Sequence, residues 1–231
     1  MARHKPDFSL WLGDAIYTDI PRGWLEFGGG FGTNDKLYRH EYRALRSEAH
    51  ARRFWASTPT FFAFDDHEVY NDFSGRASDP ETYDAALRSW DHYLGAVNPA
   101  RLVPGGSRQY TFRAGAASFF VLDVRHHRSC TSRGHAGSVL GGEQLEQLKR
   151  WLLAEAASSP FLLIVSPVGV SRNRPEAWEG WNCAPEERQE LLNFIKSRRL
   201  TNVLFISGDT HNPVRSLLAR DARPSIACLQ S

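Results

Sequence analysis

The sequence predicts an α/β protein in which a layered sheet is flanked by helices. Two observations carry this. Short apolar runs ending in polar or glycine residues alternate along the chain with amphipathic stretches of helical period. The longest apolar stretch, Phe161 to Val170, is interrupted by Ser166 and Pro167, far short of the ~20 residues of a membrane span. A length of 231 residues with 42% hydrophobic, 23% charged and 12% aromatic content suits a single globular domain, over 1–231, with a large core.

In chain order, DFSLWLGD, TFFAFDDHE, SFFVLDVR, FLLIVSPVG and NVLFISGDTH read as buried strands. QYTFRAG and SFFVLDV, joined by a Gly-Ala turn, form a predicted antiparallel hairpin. Lys36 to Ala56, Pro80 to Leu94, Gly142 to Ala157 and Pro185 to Arg199 read as helices. In the third, Leu145, Leu148, Trp151 and Leu152 recur at helical spacing. In the last, Leu191, Leu192 and Ile195 do so, behind a first turn of Pro185, Glu186 and Glu187. Pro21 to Asp35, with Gly28, Gly29 and Gly30, reads as a loop. It lacks the lysine and hydroxyl of a phosphate-binding loop.

The charge balance of 28 basic to 26 acidic residues gives no reason to expect a nucleic-acid partner. Arg43, Arg46, Arg52 and Arg53 share one predicted helix with Glu41 and Glu48, which reads as a solvated face. The three cysteines, Cys130, Cys183 and Cys228, form no metal-binding doublet. They read either as free thiols in a reducing compartment or as one pair and one odd cysteine. The segment MARHKPDFSLWLGD has no signal-peptide core. The chain as it stands is expected in the cytoplasm, or outside the cell if a leader lies upstream. Trp24, Trp178 and Trp181 are expected in core or subunit packing rather than in a cleft.

Three of the apolar runs end in groups able to do chemistry. The first gives Gly13-Asp14 with Tyr17 beyond it. The second gives Asp65-Asp66-His67-Glu68, then Asn71 and Asp72. The last gives Gly208-Asp209-Thr210-His211. Ligands of open α/β sheets bind beyond the carboxyl ends of the strands. Carboxylate, imidazole and phenol groups gathered there make an oxygen-rich cage for Fe, Mn, Zn or Ca. Two cations ~3.5–4 Å apart clamp a phosphoryl group and activate water. Singly, each piece also has a structural reading: a Gly-Asp turn, a capping aspartate, a hydrogen-bonded histidine, a core tyrosine.

The segments LWLGDAIYTD, FFAFDDHEVYND, FVLDVRHHRS, LGGEQLEQLKRWL, EAWEGWNCAPEERQELLNFI and LFISGDTHNPVRSLL resemble the PhoD-like alkaline phosphatase family of the calcineurin-like metallophosphoesterase superfamily. The likeness runs from Pro6 to Ser231 and rests on the combination of GDxxY, DDHE, LDxR and GDxH. It implies a metallophosphoesterase-like sheet and hydrolysis of a small-molecule phosphate mono- or diester. The implied cofactors are two divalent or trivalent metal ions, iron with calcium, manganese or zinc. By the same resemblance Asp14 is the bridging ligand and Tyr17 the phenolate that favours Fe(III). Asp66 is a ligand of the second metal, Asn71 is a reserve amide ligand, and Asp209 and His211 are the closing ligands. His67 is the substrate-facing histidine, and Arg125 a guanidinium for phosphate. The alternative for Arg125 is an ion pair with a nearby acid such as Asp123.

The family pattern begins with a strand that carries an earlier ligand. Only a handful of residues precede GDxxY here, so the sheet is expected to lack its first strand and the domain to be truncated at both ends. His127 stands where the family has a tyrosine, with His126 before it. These departures leave a second reading, a catalytically degenerate scaffold that binds a ligand or partner.

Overall fold

The computed structural model describes residues 5–19, 34–75, 79–130, 137–171 and 179–209, together with the backbone of two strands at 214–217 and 227–230. The chain divides into two compact units, Met1–Asn98 and Pro99–Ser231.

In the first unit, β1 (Ser9–Trp11) and β2 (Thr60–Phe62) pair in parallel, with Trp11 opposite Phe62. Parallel strands need a crossover, and α1 (Asp35–Ser47) and α2 (Ala49–Ser57) lie within it. The sequence reads one helix over 36–56, but the structure has two. Glu48 turns out of the helical region, and its carboxylate accepts the Ala51 N–H at 2.6 Å. A glutamate used as a cap thus divides the periodic stretch. Asn34 caps α1 by accepting from Leu37 N–H.

The third helix, α3 (Pro80–Tyr93), starts at the Asp79 cap with Pro80 in its first turn. It buries Tyr83, Leu87 and Trp90 against Phe64 and Phe73. Phe64 meets the Trp90 ring edge-on at 5.5 Å, and Phe73 stacks on Tyr83 at 5.0 Å. This aromatic core lies directly behind the segment that follows β2 and fixes where that segment emerges.

The second unit is built on a sheet of order β3-β4-β5-β6-β8-β7 among the described residues. Its strands are β3 (Tyr110–Ala114), β4 (Ala117–Val121), β5 (Phe161–Ser166), β6 (Val203–Ser207), β7 (Val214–Leu217) and β8 (Ala227–Gln230). The predicted hairpin is β3–β4, turning at Gly115 with φ of +57°. From β4 to β6 the strands are parallel, connected through α4 (Gly141–Glu155) and α5 (Pro185–Ser197). Leu145, Leu148 and Leu152 of α4 and Leu191, Leu192 and Ile195 of α5 pack with Phe120, Leu162, Ile164 and Phe205. Burial of the middle strands explains their unbroken apolar runs.

Cys130 and Cys183 form a disulfide with a Cα–Cα distance of 5.6 Å. For these two residues the free-thiol reading is replaced by the paired one. Trp181 is fully buried, its indole N–H donating to Ser166 Oγ at 3.1 Å, in accord with the packing reading. Trp24, Trp178 and the glycine run at 28–30 lie outside the described residues.

Candidate metal centre

Chain direction places the first two motifs together. β1 and β2 run parallel, so Asp14 and the Asp65–Glu68 segment leave the same edge of the pair. The turn after β1 is tight. Gly13 has φ of +105° and Asp14 φ of +56°. A Cβ on Gly13 would lie 2.5 Å from Cβ of Asp65. Glycine is required there both by the backbone angle and by the approach of the second loop. Asp14 sits in the left-handed region, which aspartate tolerates better than bulkier residues.

The Asp14 carboxylate accepts the Tyr17 hydroxyl at 3.3 Å. Burial pushes the Tyr17 phenol well above its usual range, and the charge and hydrogen bond of Asp14 push it further. Carboxylate oxygens of Asp14 and Asp65 lie within 4.8 Å of one another, as do those of Asp66 and Asp72. Asp65 and Asp66 are 1% and 2% exposed. Crowded buried carboxylates repel one another unless a cation or a proton intervenes. The donors are carboxylate and phenol oxygens, with imidazole close by, which fits hard or borderline cations.

Asp66 is also held by its neighbours. Its carbonyl accepts from Val69 and Tyr70 N–H, and Oδ2 accepts the Asp72 N–H at 2.6 Å. Asp72 itself takes a left-handed φ of +64°. His67 is set by Asp19: Nδ1 lies 3.1 Å from Asp19 Oδ1, and Asp19 Oδ2 accepts the Asn71 N–H at 2.6 Å. Its ring rests on Tyr17 with centroids 4.1 Å apart. Burial works against the His67 cation, but the bond to Asp19 and the charges of Asp66 and Asp14 prevail and raise it to about 9. Burial opposes the Asp19 carboxylate too, yet the donors from His67 and Asn71 hold it below its usual range. Asn71 is exposed, and its backbone rather than its amide makes the bond to Asp19.

Glu68 is fully buried. It accepts from Asp14 N–H at 3.1 Å, Ala15 N–H at 2.6 Å and Asp65 N–H at 2.8 Å. Burial and then the Asp14 charge raise its carboxyl, against the pull of these donors. Sequence reading assigns roles to neither Asp19 nor Glu68. Both stand within the quoted motif segments, but their partners are about fifty residues away in the chain.

In the second unit, Gly208 N–H donates to Pro167 carbonyl at 3.1 Å, and Asp209 follows with φ of +61°. The strand end thus repeats the left-handed aspartate seen at Asp14. His211 lies outside the described residues. Arg125 is fully enclosed, with Nη2 3.9 Å from Glu179 Oε1. This contact is of the ion-pair kind, with Glu179 as the acid. Asp123 accepts backbone N–H groups of Arg108, Arg125 and His126 at 2.6, 3.0 and 2.9 Å. Gln144 bonds both backbone groups of Asp123, so LDVR is a braced turn.

A model of the PhoD-like phosphatase family matches residues 1–228. The chain belongs to the PhoD-like phosphatase family. It is 28% identical to alkaline phosphatase D of Bacillus subtilis (strain 168), a match taking in 91% of this chain and 42% of that protein. Among solved structures, that of PhoD superposes with a TM-score of 0.78 at 23% identity, over 100% of this chain and 52% of PhoD. The chain therefore spans about half the length, or less, of these PhoD relatives. A dimetal phosphatase from Danio rerio matches with a TM-score of 0.53 at 18% identity, over 97% of this chain and 87% of that one. A purple acid phosphatase from yellow lupin (Lupinus luteus) seeds matches with a TM-score of 0.57 at 14% identity, over 97% and 36%. The α/β metallophosphoesterase-like fold read from the sequence is the fold found. No helix among the described residues is long and apolar enough to cross a membrane.

Proposed function

We propose that this PhoD-like chain carries the working residues of a metal-dependent phosphoesterase acting on small-molecule phosphate mono- or diesters. The observation that carries the proposal is Asp14. It is turned left-handed by the Gly13 junction, bonded by the Tyr17 hydroxyl and set beside the Asp65 carboxylate. Asp14 is assigned the bridging ligand and Tyr17 the phenolate of an iron position. Asp66 is assigned to the second metal, with Asn71 in reserve. Asp209 and His211 are assigned the ligands of the GDxH motif. Two bound cations, iron with calcium, manganese or zinc, supply Lewis-acid polarisation of the phosphoryl group and an activated water.

The side chains of this protein do the rest. The contact of Nδ1 with Asp19 holds the His67 ring in place, and Nε2 is assigned to substrate. As a cation it holds a phosphate oxygen or delivers a proton to the leaving oxygen. Arg125 is assigned the guanidinium for phosphate, with Glu179 orienting it. The Cys130–Cys183 bond supports an oxidising compartment as the place where the protein works.

The test is metal content and turnover of p-nitrophenyl phosphate and bis-p-nitrophenyl phosphate, measured on one preparation. We expect bound metal with turnover in the wild type. Asp14→Asn and Asp209→Asn should each lose metal together with roughly 10²-fold or more of the activity. Absence of turnover after iron, manganese, zinc and calcium are supplied would favour the degenerate scaffold.

A further inference from the structure

Glu68 has no place in the chemistry assigned above, yet its carboxylate binds three backbone N–H groups of the loops that carry the assigned ligands. Its carboxylate spans both ligand-bearing loops. One oxygen accepts from Asp14 N–H and Asp65 N–H, and the other from Ala15 N–H. Those amides belong to the bridging aspartate, its neighbour, and the residue before Asp66. Sequence separations of 53 and 54 residues on one side, and of 3 on the other, make the contact a clamp between loops rather than a local turn.

We infer that Glu68 is a positioning residue for the metal ligands, fixing Asp14 against the Asp65–Asp66 segment. The inference rests on the metal-dependent reading above. Three features argue for it. Both Glu68 oxygens accept, and the three donors come from both ligand-bearing loops. A carboxylate bonded to backbone N–H groups makes charge-assisted bonds, stronger than a neutral acceptor would make. And the clamp is placed where a plain structural tie would be poor design. Glu68 is fully buried beside Asp65 and Asp66, which are themselves nearly inaccessible. Carboxyl groups crowded away from water repel one another as anions until a cation or a proton intervenes. A glutamate here therefore links ligand geometry to cation binding, as outer groups do around many metal centres.

The side chain is also specific. Glutamine offers one oxygen and an amide that would face an N–H donor. Aspartate is shorter by a methylene and withdraws the carboxylate from one loop. Alanine leaves three buried N–H groups without this acceptor.

The experiment is a Mn²⁺ titration of chelator-stripped protein for the wild type, Glu68→Gln and Glu68→Asp. It is paired with thermal melting of the stripped forms and with turnover as a function of Mn²⁺. Glu187→Gln serves as a control, since Glu187 bonds the Val139 and Leu140 N–H groups in the second unit. We expect Mn²⁺ affinity to fall ~10–100-fold in both Glu68 variants. Turnover should return to within a few-fold of wild type once Mn²⁺ is raised, with substrate KM unchanged. Glu187→Gln should melt lower and bind Mn²⁺ as the wild type does. A lower melting temperature with unchanged Mn²⁺ affinity in the Glu68 variants would overturn the inference, as would activity that excess Mn²⁺ does not restore. Glu68→Asp gives the same reading if Glu68→Gln does not fold. A wild-type protein that binds no Mn²⁺ would overturn the metal-dependent reading itself, and this inference with it.

Discussion

Glu68 in the first unit and Glu187 in the second are both buried glutamates that gather backbone N–H groups from another part of their own unit. Glu187 accepts from Val139 and Leu140 N–H, and from the Ser138 hydroxyl. It thereby secures the segment that leads into α4. Glu68 accepts three N–H groups at the ends of β1 and β2, beside Asp14, Asp65 and Asp66. One device thus serves two ends. What Glu187 binds is neutral, and the result is a fixed helix start. What Glu68 binds carries further carboxylates, and the result is a cluster of negative charge that a cation relieves. Acceptor count alone does not distinguish a structural glutamate from one serving a site; the charge on the residues it fixes does.

The comparison can be broken at its strongest point, the covalent tie of the second unit. Cys130 and Cys183 are separated by 53 residues, and on the chain-entropy account closing such a loop is worth about 4 kcal/mol. The Cys130→Ser, Cys183→Ser double variant should lose about that much unfolding free energy in urea, and reductant should reproduce the loss in the wild type. Metal content per folded chain should hold. A parallel loss of metal would mean that the second unit's tie also serves the site, and the contrast drawn above would fail.

Gly13 tests the first unit in the same way. Alanine there meets both a φ of +105° and a contact of 2.5 Å with Asp65 Cβ. Backbone strain and overpacking together predict a loss of about 2–5 kcal/mol. Gly141 is its counterpart in the second unit, with φ of +72° and a Cβ position 2.8 Å from His127 Cβ. Gly13→Ala should weaken Mn²⁺ binding as well as stability, because it separates Asp14 from Asp65. Gly141→Ala should lower stability alone. Equal effects of both on Mn²⁺ affinity would show that the binding loss follows general loosening.

These contrasts also mark what could be read from the sequence. The strands, the hairpin and the Gly-Asp strand ends were legible because each is written in consecutive residues: an apolar run, a turn pair, an acid at the exit. The division at Glu48 was not, because the pattern of 36–56 continues across it and only the cap bond to Ala51 reveals the break. Asp14, Tyr17 and His67 were legible as a motif, and the structure brings them into contact. Asp19 and Glu68 were not, since their partners lie about fifty residues off and no spacing rule reaches so far. An acid partner for Arg125 was legible in kind but not in place: Glu179, whose Oε1 lies 3.9 Å from Nη2, is 54 residues on. Cys130 and Cys183 present the same difficulty, two lone cysteines until the fold joins them.

The smallest effect belongs to a third glutamate, which separates charge from shape. Glu155 accepts the Ser118 hydroxyl at 2.6 Å and pairs with Arg113 at 2.6 Å. Burial would raise its carboxyl, but the hydroxyl and guanidinium prevail and hold it below its ordinary value. A folded-state pKa below the unfolded one gives stability that is present above the unfolded range and lost as pH falls through the folded value. Arg113 is 57% exposed at its side chain, so solvent screens the pair and about 0.2–1 kcal/mol is the expected scale. Glu155→Gln should therefore lower the urea midpoint at pH 7 and converge on the wild type in acid, once Glu155 is protonated in both states. Added salt should shrink the pH 7 difference, since an exposed partner is screened. A difference that persists unchanged at low pH would mean that Glu155, like Glu187, acts through the hydrogen bonds its shape allows. Of Glu68, Glu155 and Glu187, charge would then matter to Glu68, which faces the aspartates at the ends of β1 and β2.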